Sequence, residues 1–195
     1  MSTNSYFRKL SECLEGTRVT DREGTVLTLV EGAARAVEMI ITHARKLMLI
    51  GNGGSAAIAS HMQNDLCKAV GVRAMVFTEP PLLTALSNDH GYGCTFERPV
   101  ELWAEPGDLL LAFSSSGQSE NILRAVQASR AAGCQVITFS GFRVDNPLRQ
   151  IGDLNFYVPV QTYGYVEVAH MALAHYLTDG AMMVRPKTEK QTEIT

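Results

Sequence analysis

The stretch that decides the fold is residues 46–69, which read KLMLIGNGGSAAIASHMQNDLCKA. The apolar run from Leu47 to Ile50 predicts a buried strand, and the residues from Ala56 onward predict a helix that follows it directly. A glycine-rich turn between them leaves backbone N–H groups free at the positive end of the helix dipole, where an anion binds well. Ser55 can cap the helix or contact that anion, and the absence of a lysine after the glycines excludes a P-loop.

A second turn of the same kind follows another predicted strand. Leu109 to Phe113 is a buried apolar run, and SSSGQS at 114–119 connects it to a predicted helix. The first turn by itself also fits a dinucleotide fingerprint, G-x-G-x-x-A at 51–56 with Glu79 after the next strand. Two loops rich in Gly and Ser converge on one anion more readily than on a dinucleotide, so the sequence favours a phosphate group.

Strands and helices alternate along the chain. The predicted strands are 46–50, 73–78, 108–113, 135–140 and 154–159, and the predicted helices are 4–16, 24–44, 55–69, 81–88, 95–103, 119–132 and 164–183. This alternation predicts an α/β fold, a doubly wound parallel sheet preceded by two helices, in one domain over residues 1–185. Residues 186–195 are predicted to be a disordered tail. Ligands of such sheets bind at the carboxyl ends of the strands, where both loops fall.

The composition excludes several classes of protein. The 195 residues carry a formal net charge of −3, so nothing indicates a nucleic-acid surface. No apolar run approaches the length of a membrane span and the N-terminus is polar, which predicts a cytoplasmic protein. The four cysteines form no C-x-x-C pair, so we expect buried free thiols rather than a zinc cluster or disulfides.

Four titratable residues have a spacing that could bring them together. His61 and Asp65 are four residues apart on one helix and therefore share a face. Glu167 and His175, on the last predicted helix, are about 80° apart around its axis. Two imidazoles and two carboxylates suit a divalent zinc ion and equally suit acid and base roles in proton transfer. Each residue taken alone is better explained as a packed histidine or a solvated acid, whereas the four together with the two anion loops favour a functional site.

Five motifs in order give the chain a family resemblance. They are GNGGS at 51–55, His61 with an acid four residues later, SNDHGY at 87–92, SSSGQS at 114–119, and a late helix with His170 and His175. Together they resemble the sugar isomerase (SIS) domain family, and within it the sedoheptulose 7-phosphate isomerases. The resemblance implies a flavodoxin-like SIS fold, a homotetramer with active sites between subunits, and aldose–ketose isomerisation to D-glycero-D-manno-heptose 7-phosphate.

The resemblance also implies residue roles. Contacts with the sugar phosphate are expected from Asn52, Gly53, Ser55, Asp89, Ser114, Ser115, Ser116 and Ser119. A zinc ion would be held by His61, Asp65, Glu167 and His175, and Asp65 and His175 would share proton transfer through a cis-enediol. Three positions depart from the family pattern: Asp65 stands for a Glu, Glu167 for a Gln and Gly164 for an Asp.

Other interpretations remain open at this stage. Some SIS proteins are binding modules, including a tetrameric partner of the bacterial replication initiator, and others could be sugar-phosphate sensors. The retained His61, Asp65 and His175 favour an enzyme over both. Ser55 and Ser119 could be simple helix caps, and Asp89 could shape a turn without contacting the sugar.

Overall fold

A mixed seven-stranded sheet forms the centre of the structure, a computed structural model that describes residues 2–185. The strands are β1 Arg18–Asp21, β2 Val26–Leu27, β3 Leu47–Gly51, β4 Ala74–Val76, β5 Leu109–Ser114, β6 Gln135–Gly141 and β7 Leu154–Val158. Their order across the sheet is β2-β1-β7-β6-β5-β3-β4, and the five strands β3 to β7 are parallel to one another. The register pairs Gly51 with Phe113 and Ser114 with Ser140, so the carboxyl ends of the three central strands lie side by side.

Helices cover both faces of this sheet. They are α1 Thr3–Glu15, α2 Leu29–Glu38, α3 Gly54–Asp65, α4 Pro80–His90, α5 Glu97–Trp103, α6 Glu120–Ala131, α7 Pro147–Ile151 and α8 Tyr163–Val184. Because strand side chains alternate, Leu111 and Phe113 pack with α2, α3 and α8, whereas Leu110 and Ala112 pack with α5, α6 and α7. The central strands are therefore apolar on both faces, as the doubly wound prediction requires.

The predicted helix over 24–44 is wrong in its first turn. Val26–Leu27 instead pairs with β1 as a hairpin, and β1 lies antiparallel to β7, which makes the sheet mixed rather than parallel throughout. Asp21, predicted within a helix start, forms the turn by accepting hydrogen bonds at Oδ1 from the N–H groups of Glu23 and Thr25. Helix α2 begins after Thr28, which forms a capping box with Glu31.

Smaller differences from the sequence prediction concern local elements. The five-residue helix α7 was not predicted, because it is too short to show a helical period; its start is capped by Asn146. Helices α2 and α3 end in π-helical turns, Met39–His43 and Leu66–Val70. All four cysteines are free, but Cys67 is exposed, so the expectation of burial is wrong for that thiol.

Two further predictions concern the end of the chain and membrane-spanning segments. Residues 186–195, predicted to be disordered, lie outside the described residues. Within residues 2–185, no helix combines the length and the apolar character that crossing a membrane requires.

Candidate active site

The two Gly/Ser loops meet in one cavity at the carboxyl edge of the sheet. It has a volume of about 110 Å³ and is lined by Asn52, Ser55, Phe113, Ser114, Ser115, Ser116, Ser119, Tyr163 and Glu167. We call it the serine cavity. The loop after β3 and the loop after β5 bring their serines together because those strands are parallel neighbours. The two loops therefore converge on one cavity, as the sequence predicts.

Glycines in these loops are required by close approach. A Cβ atom at Gly51 would overlap the backbone of Ser55, where the chain turns from strand into helix. Gly117 has a φ of +64°, and a Cβ there would also overlap the side chain of Asn146. The turns can be this tight only without side chains, which allows the serine backbone to close around a small anion.

The serine hydroxyls are not used as helix caps. Ser119 occupies the N-cap position of α6 without making a capping bond, and its Oγ lies 3.3 Å from Ser114 Oγ. Ser55 lies inside the first turn of α3, whose N-cap is Gly53, and is buried. Among the described residues, the buried Ser115 Oγ has no hydrogen-bond partner. Since a buried hydroxyl normally has a partner, Ser115 indicates a ligand that the cavity receives.

The charge in the serine cavity is negative. No lysine or arginine belongs to the described residues that line it, and Glu167 is the single charged one. Its carboxylate lies against the start of α3, where a Cβ atom on Gly54 would overlap it. An anion in this cavity would meet hydroxyl and N–H donors, beside a carboxylate that repels it.

A second polar group lies farther along α3 and α8, the helices that contribute Ser55 and Glu167 to the serine cavity. We call this group, which consists of His61, Asp65 and His175, the His-Asp cluster. His61 Nε2 is 3.3 Å and His175 Nδ1 is 3.7 Å from the Oδ2 atom of Asp65. The two imidazole rings have centroids 4.8 Å apart. Helices α3 and α8 pack together so that residues 54 and 167 meet at one end and residues 61, 65 and 175 meet beyond it.

The structure brings most of the predicted site residues into these two groups. Glu167 lies in the serine cavity, while the ligand atoms of His61, Asp65 and His175 are within 4.8 Å of one another. Gly53 forms the start of α3, with a φ of +52°. Asp89 is exposed near the end of α4, where its Oδ1 accepts a hydrogen bond of 2.8 Å from Asn88, and it does not line the serine cavity of its own chain.

Histidine 170 occupies a different environment from His175. It is fully buried beside the stacked rings of Phe113 and Phe139, with its Nε2 atom 3.1 Å from the carbonyl oxygen of Ser140. Burial lowers the pKa of His170 to about 4, so the ring is neutral at physiological pH. It serves packing behind the cavity, as its position on the helical wheel predicts.

Three residues at or beside the serine cavity were missed by sequence reasoning. Phe113 and Tyr163 line the serine cavity, and Asn121 hydrogen-bonds to Asn52 from the first turn of α6. Phe113 was predicted only as a strand residue, and Tyr163 immediately precedes a predicted helix start. Asn121 gave no signal beyond its position two residues after the SSSGQS loop, a position that faces the other loop once the sheet forms.

Comparisons with known proteins agree with this geometry. Residues 5–141 match the SIS domain family. The phosphoheptose isomerase of Syntrophotalea carbinolica is 32% identical over 189 residues, covering 92% of this chain and 91% of that protein. The phosphoheptose isomerase of Thiobacillus denitrificans is 34% identical and covers 77% of this chain and 80% of that one.

The solved structure of phosphoheptose isomerase from Neisseria gonorrhoeae superposes with a TM-score of 0.80 at 27% identity, over 93% of this chain and 97% of that one. A Francisella tularensis phosphoheptose isomerase, 24% identical with a TM-score of 0.80, shows the same fold. The resemblance inferred from the motifs is confirmed, and the chain belongs to the SIS domain family.

Proposed function

We propose that the protein is an aldose–ketose isomerase that converts sedoheptulose 7-phosphate to D-glycero-D-manno-heptose 7-phosphate through a cis-enediol. The observation that carries this proposal is the pairing of the serine cavity with the His-Asp cluster on the same helices. From Ser55 to His61 the rise along α3 is about 9 Å, a distance that an open-chain sugar can span. The relatives named phosphoheptose isomerase support the same activity.

The serine cavity would hold the phosphate. Its hydroxyl groups donate to phosphate oxygens, and the N-terminus of α3 adds favourable dipole charge. Ser115, whose hydroxyl lacks a partner among residues 2–185, gains one when phosphate binds. Binding at this end fixes the sugar chain and directs its carbonyl end toward the His-Asp cluster.

The His-Asp cluster would carry out the proton transfer. Asp65 or His175 removes a proton from C1 of the ketose and returns a proton to C2, while the partner group moves the proton between the two oxygens. Both side chains are partly exposed, so a substrate can reach them. Asp65 lies between the two imidazoles, which orient its carboxylate.

The same cluster suits a zinc ion. Two imidazole nitrogens and one carboxylate oxygen within 4.8 Å of one another match the donor set of catalytic zinc sites. Glu167, which lies in the serine cavity and outside the group of ligand atoms formed by His61, Asp65 and His175, is the proposed fourth ligand. When bound, a divalent ion polarises oxygens that develop negative charge during reaction.

An apolar groove supports assembly into a homotetramer. The groove between α2 and α8 has a volume of about 680 Å³, and Val30, Val37, Ile41, Tyr176 and Met183 are among its lining residues. Val30 is 70% and Met183 is 87% exposed, which is costly for a single chain in water. We therefore propose that the N-terminal helices pack between subunits in a cytoplasmic homotetramer.

The direct test is an isomerase assay on the purified protein with zinc supplied. Sedoheptulose 7-phosphate should be converted, and sedoheptulose without phosphate should be a far poorer substrate, because the serine cavity would lack its ligand. Metal analysis of the protein as purified, before zinc is added, should find zinc. Tight binding of the sugar phosphate without conversion, with zinc present, would instead identify a SIS binding module.

A further inference from the structure

A reciprocal pair of side-chain amides connects the two phosphate loops. Asn52 Nδ2 donates to Asn121 Oδ1 at 2.9 Å, and Asn121 Nδ2 donates back to Asn52 Oδ1 at 2.9 Å. Asn121 is 2% exposed, so this pair is shielded from water on one side. Because it joins the loop after β3 to the helix after the β5 loop, it fixes the two halves of the serine cavity relative to each other.

Two further residues extend the pair into a closed network. The Tyr92 hydroxyl donates to Asn52 Oδ1 at 2.8 Å, and Asn121 Nδ2 donates to Thr95 Oγ1 at 3.2 Å. The Thr95 hydroxyl donates to the backbone carbonyl of Tyr92 at 2.9 Å. The 3₁₀ turn Tyr92–Cys94 and its C-cap residue Thr95 together thus contact both amides.

The polarity of this network is set by the backbone. A carbonyl oxygen can only accept, so the hydroxyl of Thr95 must give its proton to Tyr92 and accept from Asn121 Nδ2. That contact defines which end of the Asn121 amide carries hydrogens, and Asn121 Oδ1 therefore faces Asn52 Nδ2. An amide flip at either asparagine would set acceptor against acceptor or donor against donor.

Among the described residues, the network leaves one N–H of the Asn52 side-chain amide free to donate a hydrogen bond. Its Oδ1 already accepts from Tyr92 and Asn121, whereas its Nδ2 donates one hydrogen bond within the described chain and has a second hydrogen. Since Asn52 also lines the serine cavity, that hydrogen is available to an oxygen of the ligand. The opposite orientation would offer an oxygen, next to the carboxylate of Glu167, and would repel an anion.

We propose that Tyr92 and Asn121 are positioning residues that hold the Asn52 amide with its N–H toward the ligand. The ligand class is a phosphorylated sugar, whose phosphate or carbonyl oxygen accepts this hydrogen bond. The inference rests on the proposed function, because it assigns a donor to the substrate of that reaction. Tyr92 acts through Asn52 and does not itself line the serine cavity.

A double-mutant cycle on Tyr92→Phe and Asn52→Ala tests this directly. Tyr92 is 57% exposed, so losing its hydroxyl should leave folding intact, with a thermal midpoint within about 2 °C of wild type. We expect Tyr92→Phe to raise KM for sedoheptulose 7-phosphate roughly 3- to 10-fold, the effect of one misplaced hydrogen bond. Asn52→Ala should raise KM at least as much, and adding Tyr92→Phe to it should change nothing further.

The matched control is Tyr157→Phe. The Tyr157 hydroxyl also donates one hydrogen bond, 2.9 Å long, to the carbonyl of Phe142, and Tyr157 does not line the serine cavity. This variant should leave KM unchanged. Additive effects of Tyr92→Phe and Asn52→Ala in an active enzyme would overturn the positioning role while the isomerase function stands. If the wild type binds sedoheptulose 7-phosphate without converting it, the isomerase function fails, and the same cycle measured in Kd still decides the positioning role.

Discussion

The serine cavity and the His-Asp cluster both receive side chains from α3 and α8 but differ in exposure and in chemistry. The cavity is small and enclosed by hydroxyls, with Ser55 and Ser115 each 4% exposed. In the cluster, the side chains of His61 and His175 are 47% exposed and that of Asp65 is 25% exposed. In the proposed division of labour, the end that binds the phosphate is buried, whereas the end that transfers protons is open to substrate.

The largest effect should come from the open end. Asp65→Asn and His175→Gln should each reduce turnover by roughly 100- to 10,000-fold, the usual contribution of a general acid or base. Phosphate affinity should stay unchanged, because neither residue lines the serine cavity. Steady-state kinetics and phosphate titration separate the two ends, and Asp145→Asn, at an exposed carboxylate that pairs with Arg143 and lines neither site, serves as control.

The shorter Asp65 makes this test sharper. If the cluster has adapted to an aspartate, Asp65→Glu will crowd the site and lower turnover. If the reach of Asp65 is limiting, the longer side chain will raise turnover on the heptulose phosphate. Full activity in both Asp65→Asn and His175→Gln would break the division of labour between the two regions.

The second-largest effect is on the pH dependence of folding stability and comes from His170, the buried histidine behind the serine cavity. The unfolded chain takes up a proton at this side chain near pH 6.5, whereas folded His170 does so only near pH 4. Above about pH 6.5 the neutral His170 costs no stability. As the pH falls from about 6.5 to about 4, the free energy of unfolding should decrease by about 3 kcal/mol, because only the unfolded chain takes up the proton.

Denaturant unfolding across this pH range measures the effect. In His170→Gln, the amide can still reach the Ser140 carbonyl and does not titrate, so the decline should be about 3 kcal/mol smaller. An identical pH slope in wild type and His170→Gln would contradict burial as the cause of the low pKa.

The third effect tests the carboxylate inside the serine cavity. Glu167→Gln removes a negative charge beside the bound anion, so inorganic phosphate should bind roughly 5- to 10-fold more tightly, a gain of about 1 kcal/mol. The same change should weaken zinc binding if Glu167 is the fourth ligand. Calorimetric titration with each ion measures both, and Glu101→Gln on the surface of α5 should alter neither.

The smallest effect distinguishes a ligand hydroxyl from a structural one. Ser115→Ala should weaken phosphate binding about 5-fold without lowering stability, because the buried Ser115 hydroxyl has no partner among residues 2–185. Ser129→Ala removes a buried hydroxyl that donates to the Val126 carbonyl at 2.9 Å, so it should cost about 1 kcal/mol of stability and leave phosphate binding unchanged. If Ser115→Ala destabilised the free protein as Ser129→Ala does, the serine would be a structural residue.

The serine cavity could be predicted from the sequence because its parts are local. A strand, a Gly/Ser turn and a helix start follow one another along the chain, at Gly51 to Ser55 and again at Ser114 to Ser119. The parallel arrangement of their strands then places both turns at one edge. Glu167 was predicted with the zinc ligands, whereas its position against Gly54 depends on how α8 packs on α3.

The hairpin shows where a local pattern misleads. Leu27 fits the helical spacing of the residues that follow, yet the turn at Asp21 and Gly24 directs Val26 and Leu27 into pairing with β1. Strand β1 also pairs with β7, about 135 residues later in the chain, and this pairing fixes β1 in the sheet where β2 can join it. No short window of sequence contains both β1 and β7.

By itself, the sequence determined the family, the alternation of strands and helices, and the anion loops, because those depend on side-chain periodicity and turn chemistry between near neighbours. Only the tertiary structure decided that Asp65 lies between two imidazoles, that Asn121 and Tyr92 hold Asn52, and that Glu167 shares the serine cavity. These contacts join residues that are distant in the chain, and their distances are fixed by helix packing and strand register rather than by spacing in the sequence.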